Sequence, residues 1–210
     1  MPAAAVVYVH GLWMTGIESV LLRRRLARQR GYRFGVFHYR SVRAPLPQIL
    51  SALRDAIDAV DAPQVHLLGH SLGGLLIQRC LARYPMRQPG RVVFLGTPAA
   101  GSRAARRLAR LSLGLRVLGA ASAEELLAAH PRRWDIGREL GIIAGTLPFG
   151  FGRLLLKFDE DNDGTVAVSE TQLAGAAGFL GVPTTHSGLL WSARVAREAG
   201  SFLEYGSFGK

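Results

Sequence analysis

Short apolar runs alternate with longer amphipathic stretches along this 210-residue chain, and that alternation predicts an α/β fold. The expected architecture is a three-layer α/β/α sandwich around a mostly parallel sheet of about six strands. Composition agrees: 49% of residues are apolar and 20% charged, the balance of a globular chain that buries a sizeable core. The 25 glycines supply the tight turns that many strand–helix junctions need. The length suits one domain over residues 1–210, with cap or lid elements around 101–130 and 145–158.

The elements follow in order. Ala5–Val9 reads as a buried strand ending in His10-Gly11. Glu18–Arg30 reads as a helix with Leu21, Leu22 and Leu26 on one face. Tyr32–Tyr39 is a second strand. Pro45 and Pro47 then punctuate a loop before a helix over Gln48–Val60, whose apolar face is Ile49, Leu50, Leu53, Ile57 and Val60. Val65–Leu68 is a third strand, Leu72–Tyr84 a helix stopped by Pro85, and Arg91–Leu95 a fourth strand. Gly141–Gly145 and Gly178–Val182 complete the strands, and Ser187–Phe202 is the terminal helix. Right-handed crossovers between these strands place helices on both sheet faces.

The net charge is +11, carried almost entirely by arginine. No nucleic-acid motif accompanies it and acidic residues are interspersed, so nucleic acid is not an expected partner. The arginines instead solvate helix faces. Gly101–Leu118 stands apart, with Arg103, Arg106, Arg107, Arg110 and Arg116 interleaved with five leucines. Two accounts of it stay open: a basic amphipathic cap that contacts a membrane or lipid surface, or a helix covering the sheet with arginine stems over its edge. The Gly- and aromatic-rich stretch 145–158 is expected to shape a pocket wall. The single cysteine, Cys80, excludes an internal disulfide and is expected to be a buried, inert thiol. The first residues lack a charged leader pattern and no apolar run reaches membrane-spanning length, so the expected location is the cytoplasm. No redox cofactor is implied, because neither G-x-G-x-x-G nor a P-loop occurs.

The strongest chemical signal is Gly69-His70-Ser71-Leu72-Gly73-Gly74, a G-x-S-x-G match between a hydrophobic strand and a helix. A serine on such a sharp turn has its hydroxyl lifted above the sheet, and Gly69 and Gly73 leave room for the strained backbone. The helix N-terminus directs N–H dipoles at a developing oxyanion. The alternative is a serine that merely caps its helix. An oxyanion hole needs two N–H groups from different segments, and His10-Gly11-Leu12-Trp13 supplies the second. The expected donors are the Leu12 and Leu72 amides, with His10 bracing its loop.

These motifs, with Gly96-Thr97-Pro98-Ala99-Ala100-Gly101-Ser102 after the fourth strand, resemble the bacterial lipase and esterase branch of the α/β-hydrolase superfamily. The resemblance covers nearly the whole chain in order, although only the nucleophile motif is highly specific. It implies ester hydrolysis by an acyl-enzyme route, with a small acyl ester as substrate and no cofactor. In that fold the order is serine, acid, histidine. Of six histidines, His186 alone follows the last strand and precedes the final helix, so it is the expected base. The acid is sought in Asp159–Val166. A similar Asn-Asp-Gly loop completes the triad in that branch, which matches Asp163, with Asp161 in reserve. The same loop fits a calcium pattern through Asp159, Asp161, Asp163, Gly164 and Glu170, but an Asp163 that ligated calcium could not also orient His186. No metal is expected. Trp13, Met14, Phe149 and Phe151 are candidate acyl-pocket residues. Thioesterase or acyltransferase chemistry would use the same machinery. A catalytically dead fold that binds anionic surfaces through arginines is the alternative outside enzymology.

Overall fold

A computed structural model describes residues 4–127, 133–150 and 158–209. Its centre is a six-stranded parallel sheet: β1 (Ala5–Val9), β2 (Arg33–Phe37), β3 (Val65–His70), β4 (Val92–Leu95), β5 (Leu140–Gly145) and β6 (Gly178–Val182). The spatial order is β2-β1-β3-β4-β5-β6, with every pair parallel. The four middle strands are buried throughout, as expected for a sheet covered on both sides.

Alternation along the strands divides the core into two layers. Val7, Val9, Leu67, Val92 and Phe94 face α2 (Leu46–Asp58), α3 (Leu72–Arg83) and the segment after β4. Val6, Tyr8, Leu68, Val93 and Leu95 face α1 (Val20–Arg30) and the C-terminal helix. The expected three-layer α/β/α sandwich is therefore the fold observed.

Several boundaries differ from expectation: the helix expected over Glu18–Arg30 starts at Val20 after a 3-10 turn at Ile17–Ser19, the second strand covers Arg33–Phe37, and three further differences have a local reason. α2 starts at Leu46, not Gln48, because Pro47 sits in the first helical turn, where its missing N–H has no intrahelical role. The segment expected as one basic stretch is divided among α4 (Arg103–Ala109), α5 (Gly114–Leu118) and the start of the region leading into α6 (Ala120–Leu127). Ser102 caps α4 by accepting from the Ala105 N–H at 3.1 Å. The expected terminal helix is two elements: a 3-10 turn at Ser187–Leu190 and, after a short α7 (Val168–Thr171) earlier in the chain, α8 over Ala193–Tyr205. Ser192 is extended and caps α8 through the Val195 N–H, which separates the two. Cys80 is buried, and burial pushes its thiol up to about 12. No helix among the described residues is long and apolar enough to cross a membrane.

Candidate active site

The C-terminal ends of β1, β3, β4, β5 and β6 converge on one side of the sheet, the usual place for a ligand crevice in a parallel α/β fold. Ser71 occupies the junction of β3 and α3 with φ 52° and ψ −123°, a conformation non-glycine residues rarely adopt. The turn is anchored by the Ser71 N–H donating to the Leu95 carbonyl at 2.9 Å. Close packing holds it there. A Cβ on Gly73 would lie 2.1 Å from the Val9 carbonyl oxygen, and one on Gly69 would lie 2.6 Å from the Gly74 backbone. Both glycines are therefore steric requirements of the turn.

Asp163 and His186 arrive from the loops after β5 and β6. Asp163 Oδ2 lies 2.6 Å from His186 Nδ1. Asp163 Oδ1 accepts from the Thr165 and Val166 amides at 2.9 and 2.7 Å, and the His186 N–H donates to the Asp163 carbonyl at 2.9 Å. The carboxylate group is 1% exposed, and both of its oxygens accept hydrogen bonds. Because a carboxylate oxygen accepts, the Nδ1 atom that faces Asp163 carries a hydrogen. Asp161, the reserve acid, is exposed, and its carbonyl accepts from Val168. The calcium pattern does not converge. Asp163 is taken by His186, and the Glu170 carboxylate accepts from the Ala167 and Arg103 amides and pairs with the Arg103 guanidinium. Among the described residues no His, Cys, Asp and Glu group is arranged to hold a metal ion.

The β1 loop lies against this assembly. A Cβ on Gly11 would stand 3.2 Å from both Ser71 Cβ and His70 Nδ1. His10 stacks on Tyr39 with centroids 4.2 Å apart and donates from Nδ1 to the Gly11 carbonyl at 2.9 Å, while Tyr39 Oη donates to the His10 carbonyl. This is the bracing role expected of His10, and burial holds its pKa below the usual histidine range. Neither the Leu12 nor the Leu72 N–H has an acceptor among the described residues; Leu12 lies in the loop after β1, and Leu72 opens α3 directly after Ser71.

Ser71 and His186 open into a cavity of about 200 Å³. Its apolar wall includes Leu12, Met14, Ala105, Leu108, Leu118 and Leu126, and Trp13 stands at it half-exposed. Trp13 and Met14, two of the candidate acyl-pocket residues, both line the cavity. Phe149 is 74% exposed and does not line it, and Leu147 beside it is exposed too. Residues 151–157, Phe151 among them, and His130 lie outside the described residues. The wall supplied by α4, α5 and α6 went unassigned residue by residue. Its signal was the spacing of Ala104, Ala105 and Leu108 on one helical face. Nor does the sequence single out His70, because it stands beside the nucleophile and not after the last strand. Its fully buried ring lies 4.7 Å from that of His186 and donates from Nε2 to the His186 carbonyl at 3.1 Å. Burial first, then the neighbouring His186, holds His70 well below the usual histidine range.

Residues 6–199 match the model of the alpha/beta hydrolase family, and the chain belongs to that family. Its membership in a hydrolase superfamily makes hydrolysis the class of chemistry the fold supports. No curated protein sequence matches the chain. Among solved structures, a metagenomic carboxyl esterase superposes with a TM-score of 0.63 at 20% identity over 89% of this chain. This chain spans 65% of that esterase's length. The meta-cleavage product hydrolase of Pseudomonas fluorescens gives 0.64 at 15% identity, covering 97% of this chain and 92% of that one. A thioesterase domain bound with a dodecadepsipeptide gives 0.58 at 14% identity, covering 99% and 94%. At these identities the likeness is one of fold.

Proposed function

We propose that this protein is a serine hydrolase that cleaves small carboxylic esters through an acyl-enzyme on Ser71. The observation that carries the proposal is the 2.6 Å Asp163–His186 pair, which opens with the strained Ser71 into one apolar cavity. In this mechanism Ser71 Oγ attacks the acyl carbonyl carbon while its proton passes to His186 Nε2. Asp163 keeps the imidazole in the correct tautomer and stabilises its charged form without taking the proton. The carbonyl oxygen becomes an oxyanion and accepts from the Leu12 and Leu72 amides. Collapse breaks the bond to the leaving alkoxide, which takes the proton from His186. Water, activated by the same imidazole, then releases the acid and frees Ser71.

The cavity is below the several-hundred-Å³ range of sites for drug-sized ligands, which favours one slender acyl chain over a bulky acid. The test is hydrolysis of p-nitrophenyl esters with straight-chain and branched acyl groups, beside the matching acyl-thioesters. Straight-chain esters are expected to turn over fastest, and Ser71→Ala to abolish the reaction. Thioesters cleaved at far higher kcat/KM than the esters would move the assignment to thioester hydrolysis, and turnover surviving in Ser71→Ala would sink the mechanism.

A further inference from the structure

We infer that the outer face of α4 and α5 docks on an anionic lipid bilayer and sets the mouth of the cavity against it. Leu111, Leu113, Leu115 and Val117 are 52%, 57%, 55% and 42% exposed within seven residues. Such a run of aliphatic side chains is unusual on a free surface, where scattered apolar residues are the norm. It has a structural cause. Gly114 packs where a Cβ would lie 1.8 Å from the Leu108 carbonyl oxygen, so α5 lies tight on the end of α4. That contact turns Gly114 and Leu118 inward and leaves Leu115, Arg116 and Val117 facing outward.

Charge selects the occupant. Arg106, Arg107, Arg110 and Arg116 are exposed around these leucines, and no acidic residue occurs between Pro98 and Glu124. Arg103, at the start of α4, pairs with Glu160 and Glu170, and Glu125 on α6 pairs with Arg79. Leucines that enter the headgroup boundary, ringed by cations that meet lipid phosphates, form the pattern of an interfacial helix. Nucleic acid would use the arginines but leave the leucines without a partner.

The patch is also continuous with the cavity. Leu108 and Leu118, the inward residues of α4 and α5, line it. The Trp13 indole N–H donates to the Val117 carbonyl at 2.9 Å, tying the oxyanion loop to the same segment. An acyl chain leaving a bilayer at this face would meet apolar side chains from the rim to Ser71.

The binding claim does not depend on the ester chemistry, so it is tested without turnover. Full-length Ser71→Ala protein is mixed with vesicles of phosphatidylcholine alone or with 30% phosphatidylglycerol added, at about 0.1 M salt, and bound protein is measured by sedimentation. Binding is expected to anionic vesicles and to fall at least tenfold on pure phosphatidylcholine, where the attraction of the arginines to anionic headgroups is missing. It should fall equally far in Leu113→Glu/Leu115→Glu and in Arg106→Gln/Arg107→Gln/Arg110→Gln. Neither set lines the cavity, so the same changes in the Ser71 background keep the unfolding temperature and activity on a water-soluble ester. Equal binding to both vesicle types, or leucine variants that bind as well as the parent, overturns the inference. So does duplex DNA bound as tightly and lost only in the arginine variant, which would assign the patch to nucleic acid.

Discussion

Asp163 and Asp161 are two residues apart, yet the backbone turn gives them opposite surroundings. The Asn162 side chain accepts from the Gly164 amide, and the turn places Asp163 inward against His186 while Asp161 stays exposed. Asp163→Asn presents an amide to Nδ1 and favours the wrong imidazole tautomer, so kcat on a soluble ester should fall on the order of 10³- to 10⁴-fold. Asp161→Asn should stay within twofold of wild type. Equal losses in the two variants would mean that the loop acts as a unit, for example as a cation site. The pair also shows what could be read from residues alone. The position of Ser71 was legible because its turn needs glycine on either side, and that of His186 because chain order leaves one candidate. The choice of acid needed the likeness to a known Asn-Asp-Gly loop, since spacing admits both aspartates. Phe149 faces solvent and not the cavity, because an aromatic residue near a motif loop carries no signal of which way it faces.

At the scale of elements, the turn between β3 and α3 is held by steric closeness more than by any attractive contact. Gly73→Ala forces a methyl group to 2.1 Å from the Val9 carbonyl oxygen and 2.7 Å from that of His10, both backbone atoms at the end of β1 that cannot swing aside. The expected cost is about 3 kcal/mol or more, read as a lower urea midpoint. Gly31→Ala, where a Cβ meets nothing within 4 Å but φ is +69°, should cost only about 1 kcal/mol of backbone strain. Similar losses at the two sites would refute the steric account. Periodicity marks the six strands and α1, α2, α3 and α8, whereas the short α6 and α7 are not marked by it. What escaped was local capping chemistry. Ser192 interrupts an apolar pattern that runs smoothly from Leu189 to Phe202, and Gly114 splits the basic segment into α4 and α5.

Across the molecule, the β-α alternation foretold a parallel sheet covered on both faces, but not the order β2-β1-β3-β4-β5-β6, which depends on pairings between distant strands. The packed sheet buries several histidines in their neutral form. His66 is held at about 4, by burial first and by Arg91 and Arg138 second, and its Nδ1 accepts from the Arg91 amide at 2.9 Å. His10 and His70 shift in the same direction. A histidine with a lowered folded pKa binds more protons when unfolded. Its stabilising contribution is therefore full above about pH 6.5 and is lost as pH falls towards 4. For His66 alone the loss approaches about 3 kcal/mol. The urea midpoint should drop clearly between pH 7.5 and pH 5, and a flat profile would show that these rings are solvated.

The central claim is that Ser71 is the nucleophile, and covalent labelling tests it most directly. Wild type, Ser71→Ala, His186→Ala and Asp163→Asn are treated with a fluorophosphonate and the adduct is located by peptide mass spectrometry. The predicted result is one adduct on Ser71 in wild type, none in Ser71→Ala and strongly slowed labelling in the other two. A folded wild type that hydrolyses ester yet carries its adduct on another residue, or labels equally well without His186, would contradict it.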